Sequence, residues 1–137
     1  MRIVLDTNCL LPAVFPRSMY HWVWKSFREG AYTLCISNEI IAEYEEVLSR
    51  MYPPAMTESA IEILLNARNV EKVIPYYKWN LISADPDDNK FVECALNAGA
   101  DYIVTNDKHF NVLKEIDFPP VKVVDIVEFR EMLGVGN

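Results

Sequence analysis

The chain has 137 residues, of which 51% are apolar, and its 13 basic and 20 acidic side chains leave a formal net charge of −7. This length and composition predict a single folded domain over residues 1–137 and exclude a disordered chain. The negative charge argues against a broad basic surface that would hold nucleic acid of any sequence.

Membrane and secretion signals are not expected in this chain. No apolar run approaches the roughly 20 residues of a membrane span, and Asp6 interrupts the apolar stretch near the N-terminus, so we predict no signal peptide. Three cysteines lie far apart in apolar neighbourhoods, which is typical of reduced core residues in a cytoplasmic protein. They are Cys9, Cys35 and Cys94. A zinc site is not expected, because His21 and His109 are far apart and no cysteine pair accompanies them.

Strands and helices are predicted to alternate along the chain. Short apolar runs predict strands at Arg2–Leu5, Tyr32–Ile36, Val70–Ile74, Asp101–Thr105 and Val121–Val124. Helical spacing of apolar residues predicts helices from Ser18 to about Gly30, from Ser37 to about Met51, from a cap at Thr57, from Asp85 to Gly99 and from Asp125 to Leu133, with a short helical turn around Phe110 and Leu113. This alternation predicts an α/β fold with a parallel sheet and helices on both faces.

The helix predicted after Asp85 begins with a cluster of acids. Asp85 can cap it, and Pro86 suits its first position because the missing N–H would be unpaired there. Asp88 is expected in the first turn, three residues ahead of Phe91 and seven ahead of Ala95, so it leans toward the buried face. A carboxylate turned inward needs a partner, which could be the helix N–H groups, a cation or a metal ion.

Acids also follow two of the predicted strands. Asp6 comes directly after the first strand, Asp107 comes after the strand at Asp101–Thr105, and Asp88 opens the helix that leads into that strand. Ligands bind parallel sheets beyond the carboxyl ends of the strands, where the strand order reverses. If the first strand is central, the three carboxylates converge there. Taken singly, each acid is equally typical of a turn or a helix start.

The helix that begins at Ser37 offers further acids. Glu43 and Glu45 lie at opposite margins of its apolar stripe, and periodicity alone does not choose between them. Glu39 and Glu46 are predicted to face solvent.

Four ordered segments of the chain resemble the motifs of one protein family. They are Val4–Asn8, Ser37–Glu43, Asp85–Phe91 and Ala100–Asp107. Together they resemble PIN-domain proteins, and most of all the VapC-like toxins of bacterial and archaeal type II toxin–antitoxin systems. The resemblance covers nearly the whole chain and implies a three-layer fold with a central parallel sheet flanked by helices. Leu-Asp-Thr-Asn alone would be a weak signal, whereas four motifs in family order are a strong one.

Carried over motif by motif, the resemblance implies four catalytic acids that also bind metal. They are Asp6, Glu43, Asp88 and Asp107. Asp85 and Asp87 stay open as substitutes for Asp88, and Asp85 is expected to support the site. Asn8 and Thr105 match polar positions that support the site in the family. No family acid is missing, so the resemblance implies an active enzyme.

The residue types agree with this chemistry. Carboxylate oxygens favour Mg²⁺ or Mn²⁺ over zinc, and four crowded carboxylates repel one another unless a cation lies among them. The resemblance implies a metal-dependent ribonuclease that cuts RNA to leave a 5′-phosphate and a 3′-hydroxyl. It also implies a small antitoxin protein as partner, and we expect a cytoplasmic homo-oligomer, most simply a dimer, with no membrane contact.

Basic and aromatic residues near the motifs have two interpretations. Six basic side chains would rim an RNA groove or would be ordinary solvated surface. They are Arg17, Lys25, Arg28, Lys90, Lys108 and His109. The aromatic segment Tyr76–Trp79 would stack on bases or cover a protein interface, and the interface is favoured.

Two other classes of function stay open from the sequence. One is a non-catalytic PIN-like module that binds RNA or a protein, which a metal titration would distinguish. The other is a phosphohydrolase of the haloacid-dehalogenase type, which also begins with an Asp after its first strand. That chemistry requires a second acid at position 8, where this chain has Asn8, and a covalent aspartyl-phosphate assay would test it.

Overall fold

Five parallel strands form the centre of the fold in the computed structural model, which describes residues 1–74, 88–115 and 122–135. The strands are β1 (Arg2–Leu5), β2 (Thr33–Ile36), β3 (Val70–Lys72), β4 (Tyr102–Val104) and β5 (Val123–Val124). Their order across the sheet is β3-β2-β1-β4-β5, and each pairing is parallel. The predicted α/β class with a central parallel sheet flanked by helices is confirmed, and β1 is the central strand.

Helices connect the strands within these residues. The α-helices are α1 (Thr7–Leu10), α2 (His21–Arg28), α3 (Asn38–Met51), α4 (Pro54–Asn66), α5 (Asn89–Ala98) and α6 (Ile126–Leu133). Two 3₁₀ helices cover Leu11–Val14 and Lys108–Glu115, the second at the predicted turn around Phe110. None of the helices in the described ranges is long and apolar enough to cross a bilayer.

Helices α2 and α4 begin at other residues than predicted. α2 begins at His21 and not at Ser18, whose carbonyl accepts the His21 N–H at 3.1 Å in the preceding turn. α4 begins at Pro54 and not at Thr57, because a proline without an N–H suits the first helical position, where no acceptor is available. Thr57 is buried inside the helix, and its hydroxyl donates to the Leu48 carbonyl at 3.2 Å.

The segment after β1 was not predicted to be helical. It forms α1 and the 3₁₀ helix Leu11–Val14, each only four residues long. Most of its side chains are buried, so the segment shows no alternation of polar and apolar faces from which a helix could be recognised. Because α1 begins at Thr7, the chain turns immediately after Asp6, at the carboxyl end of the central strand.

Predicted helix caps at Ser37 and Asp125 are confirmed. The Ser37 hydroxyl accepts the Ile40 N–H at 3.3 Å, and Asp125 and Glu128 exchange bonds in a capping box. Gly99 ends α5 with a φ of +63°, a left-handed conformation that favours glycine. These caps fix the start of α3 after β2, the start of α6 after β5 and the end of α5 before β4.

The core surrounds the central strand. Ile3, Val4 and Leu5 are fully buried, as expected for a strand covered on both faces. Phe91 and Cys94 of α5 are buried too, which confirms the predicted inward face of that helix. All three cysteines are buried and free, in agreement with their prediction as reduced core residues.

Candidate active site

The strand order reverses between β1 and β4. From β1 the chain proceeds to β2 and β3 on one side, whereas β4 and β5 lie on the other. The carboxyl ends of β1 and β4 are aligned, because Leu5 pairs with Val104 and the Asp6 N–H donates to the Val104 carbonyl at 3.0 Å. This is the position at which parallel α/β sheets form ligand sites.

Asp6 lies at this reversal point with its side chain turned inward. It is the N-cap residue of α1, and its carbonyl accepts the N–H groups of Cys9 and Leu10 at 2.9 and 3.2 Å. The carboxylate makes no capping bond. Instead its Oδ2 accepts the Thr105 hydroxyl at 2.7 Å, and the Thr105 Oγ1 accepts the Asp107 N–H at 3.0 Å. One hydroxyl therefore links the two acids that follow β1 and β4.

The ionised form of the Asp6 carboxylate is disfavoured in this position. Asp6 is only 6% exposed, and burial raises the pKa of its carboxylate above the ordinary value. The Thr105 hydroxyl acts in the opposite direction, but the negative charges of Asp107 and Glu43 raise the pKa further. A cation among these carboxylates would relieve both the desolvation and the repulsion.

Glu43, and not Glu45, is the α3 acid that lies at this site. Its Oε1 accepts from the Lys90 Nζ at 2.7 Å, and its Oε2 accepts the Thr7 hydroxyl. Glu45 is exposed and lines a separate groove between α3 and α4, together with Glu58. Contacts with other elements therefore resolve a choice that helical periodicity left open.

Asp88 and Asp107 meet at a third residue, His109. One ligand atom from each of the three side chains lies within 4.8 Å of the others. The His109 Nδ1 is 3.5 Å from the Asp107 Oδ1 and 3.8 Å from the Asp88 Oδ2. The sequence alone places His109 either at the rim of an RNA groove or on the solvated surface, because a histidine two residues after an acid has no ligand signature of its own. Its proximity to Asp88 depends on the packing of α5 beside the loop after β4.

The remaining predicted site residues differ in position. Thr105 is buried between two site acids, whereas Asn8 is exposed on α1. Asp88 occupies the N-cap of α5, which begins at Asn89, so it precedes the first turn in which it was predicted. The predicted cap Asp85 and its neighbour Asp87 lie outside the described residues.

Nearby thiol and phenol groups do not supply a nucleophile. Burial raises the pKa of the Cys9 thiol to about 12, and the negative charge of Asp6 adds to that rise. Burial also raises the pKa of Tyr44 well above its ordinary value, with a further contribution from Asp6. The Tyr44 hydroxyl donates to the Leu5 carbonyl and so joins α3 to the end of β1. Both groups are neutral at physiological pH. Among the described residues, the site therefore offers carboxylates, hydroxyls, the Lys90 ammonium group and the His109 imidazole for chemistry.

Comparisons with known proteins agree with this fold. A family model described as PIN domain matches residues 2–109. The fold is similar to VapBC2 from Rickettsia felis bound to a DNA fragment from their promoter, with a TM-score of 0.61, 20% identity, and coverage of 91% of this chain and 98% of that one. It is also similar to the T. brucei RRP44 PIN domain, with a TM-score of 0.51, 10% identity, and coverage of 95% and 79%. No curated protein matches the sequence.

Proposed function

The chain belongs to the PIN-domain family, and we propose that it is a metal-dependent endoribonuclease that acts as the toxin of a toxin–antitoxin pair. The observation that carries this proposal is the convergence of acids from separate elements on the reversal point of the sheet. Asp6 and Asp107 share the Thr105 hydroxyl, Glu43 adds to the negative charge around Asp6, and Asp88 lies across from Asp107.

A divalent ion fits the donors present. We propose Mg²⁺ or Mn²⁺ among Asp6, Glu43, Asp88 and Asp107, since hard carboxylate oxygens suit these ions. Burial and, to a smaller extent, the charges of Asp107 and Glu43 raise the pKa of Asp6, and a bound cation would offset both effects. When bound, such an ion activates water and stabilises the charge that develops on a phosphodiester. Thr105 orients the Asp6 carboxylate by donating to its Oδ2.

Lys90 contributes positive charge to the same site. Together with the Thr7 hydroxyl, its ammonium group holds both oxygens of Glu43. A positive charge at this position also favours the approach of a phosphodiester to an otherwise acidic surface. Glu43 is therefore a carboxylate fixed in place by two donors, and Lys90 is a positioning residue for it.

Water is the proposed nucleophile. Neither Cys9 nor Tyr44 is ionised at neutral pH, so the chemistry is direct hydrolysis without a covalent enzyme intermediate. The oxygen of water bonds to phosphorus, the bond from phosphorus to the 3′ oxygen breaks, and that oxygen takes a proton. The products are a 5′-phosphate and a 3′-hydroxyl.

The test is cleavage of single-stranded RNA by the purified chain. We expect cleavage with millimolar Mn²⁺ or Mg²⁺, complete loss with EDTA, and products with 5′-monophosphate ends that a 5′-monophosphate-dependent exonuclease degrades. Glu45→Gln is the matched control. Glu45 lies on the same helix as Glu43 but lines the groove beside α4, so the Glu45→Gln protein should cleave RNA as fast as the unaltered chain. Cleavage that EDTA leaves intact, or products with cyclic phosphates, would contradict the proposal.

Two other functions were open from the sequence. A haloacid-dehalogenase-type hydrolase is set aside, because the chain belongs to the PIN family and the residue at position 8 is the exposed amide Asn8. If the chain binds RNA and metal yet cleaves no RNA under these conditions, it is a non-catalytic binding module.

We further propose that the chain is a single nuclease domain that forms a homodimer in the cytoplasm. Its proposed protein partner is a small antitoxin. The acidic site would suit a basic segment whose Arg or Lys enters among the carboxylates and competes with the metal. Co-purification with the product of an adjacent small gene should yield a complex whose melting temperature no longer rises with Mn²⁺ and which does not cleave RNA. A complex that keeps the full Mn²⁺ response and nuclease activity would exclude this mode of inhibition.

A further inference from the structure

We propose that His109 is a nitrogen ligand of the divalent ion and that it biases the site toward transition-metal ions over Mg²⁺. This inference rests on the proposed metal site and adds to it a residue and an ion preference. The imidazole Nδ1 faces two carboxylates from separate segments, at 3.5 Å from the Asp107 Oδ1 and 3.8 Å from the Asp88 Oδ2.

These distances suit a shared ion better than a direct hydrogen bond. Most hydrogen bonds between nitrogen and oxygen have lengths of about 2.7–3.2 Å, and both contacts are longer than that. Ligand atoms lie about 2.0–2.2 Å from ions such as Zn²⁺ or Mg²⁺. Two ligands of one ion are then separated by roughly 3 Å at a right angle and by roughly 4 Å on opposite sides. Both contacts fall within that range.

His109 is held in this position by the fold. Its backbone N–H donates to the Asp107 Oδ1 at 2.9 Å, which fixes it beside one of the two acids. The next residue, Phe110, is fully buried, and its ring lies 6.4 Å from that of Phe91 on α5, the helix that has Asp88 at its N-cap. The 3₁₀ helix that carries His109 is thus packed against the helix that carries the second acid.

The ring also remains accessible to an incoming ion. The His109 side chain is 48% exposed and the Asp88 side chain 13% exposed, so the imidazole forms the open edge of a partly enclosed pair of carboxylates. An ion can enter from solvent at this edge and keep water in its remaining positions, as a hydrolytic site requires.

An imidazole ligand has a chemical signature that a carboxylate lacks. Affinity of sites with nitrogen donors rises from Mn²⁺ to Co²⁺ and Ni²⁺, whereas Mg²⁺ prefers oxygen and gains little from imidazole. If His109 instead only adds a nearby charge or contacts the substrate, its removal should affect all divalent ions alike. The ratio of affinities therefore distinguishes a ligand from a neighbour.

The experiment is calorimetric titration of the full chain with Mg²⁺, Mn²⁺ and Co²⁺, with and without the substitution His109→Ala. We expect the substitution to weaken Co²⁺ binding at least tenfold, to weaken Mn²⁺ binding less, and to change Mg²⁺ binding by less than about twofold. The visible absorption of bound Co²⁺ should also change, because a nitrogen donor leaves the coordination shell.

His21→Ala is the matched control, since His21 is the chain's other histidine and its Nδ1 lies 2.7 Å from the Ala13 carbonyl. It should leave every affinity unchanged. Equal weakening of Co²⁺ and Mg²⁺ by His109→Ala, or no change in either, overturns the inference while the proposed nuclease site stands. Absence of binding for all three ions in the unaltered chain overturns the proposed function itself.

Discussion

We expect the substitution Asp6→Asn to abolish metal-dependent RNA cleavage and to leave the metal-free protein folded. The amide has nearly the shape of the carboxylate, and its oxygen can still accept the Thr105 hydroxyl that now reaches the Asp6 Oδ2. It lacks the negative charge that a divalent ion requires. Loss of an outer-shell partner of a metal typically costs 10–100-fold in activity or affinity, so loss of a direct ligand should reduce cleavage at least about 100-fold.

Stability should change in the opposite direction from activity. Burial, Asp107 and Glu43 raise the pKa of Asp6, so the folded state holds this proton more tightly than the unfolded state does. The ionised carboxylate therefore opposes folding above the folded-state pKa, and that penalty is removed as the pH falls through this pKa toward the unfolded value. The metal-free Asp6→Asn protein should melt no lower than the unaltered chain at neutral pH and should lack this pH dependence.

Asp88→Asn distinguishes two roles of Asp88, as a residue that stabilises the start of α5 or as a member of the site. If Asp88 serves only the start of α5, losing its charge costs roughly 0.3–1 kcal/mol of stability and leaves cleavage unchanged. If it belongs to the site, cleavage is lost. Melting without metal and cleavage with Mn²⁺ should be measured on both variants beside Glu45→Gln. Cleavage that persists in Asp6→Asn and Asp88→Asn would disprove the catalytic assignment of these acids.

The features predicted from sequence are those with strong local patterns. The apolar run at Arg2–Leu5 identified β1, and helical spacing identified the buried face of α5. The alternation of elements then required a parallel sheet, in which acids after β1 and β4 must lie at one edge once β1 is central. That chain of inference brought Asp6 and Asp107 together before any contact was known.

Features that depend on packing between elements were not predictable in this way. The choice between Glu43 and Glu45 depends on Thr7 and Lys90, which are distant in sequence and meet Glu43 only in the folded chain. The approach of His109 to Asp88 depends likewise on the contact of the 3₁₀ helix with α5. Periodicity reports which face of a helix is buried, but it does not report which polar groups at the margin of that face find partners.

The chain should gain stability from Mn²⁺, reversibly with EDTA. An ion that binds only the folded state adds about 2.7 kcal/mol at a hundred times its dissociation constant. For a chain of this size that corresponds to an increase in melting temperature of roughly 10 °C. Asp107→Asn should lose most of the increase, because Asp107 is near both Asp6 and Asp88, whereas Glu45→Gln should keep it. A melting temperature unaffected by millimolar Mn²⁺ at neutral pH would contradict a metal site.

The pH dependence of this increase identifies where the ion binds. Protons compete with metal for the Asp6 carboxylate, and its raised pKa means that they begin to compete at a higher pH than at an ordinary surface acid. The Mn²⁺-induced increase should therefore shrink as the pH falls through the raised pKa, while surface carboxylates are still ionised. In the Asp6→Asn protein, any remaining Mn²⁺-induced increase in melting temperature should persist to lower pH. An increase that declines only near the ordinary carboxylate pKa of about 4, in both proteins alike, would assign the ion to the protein surface.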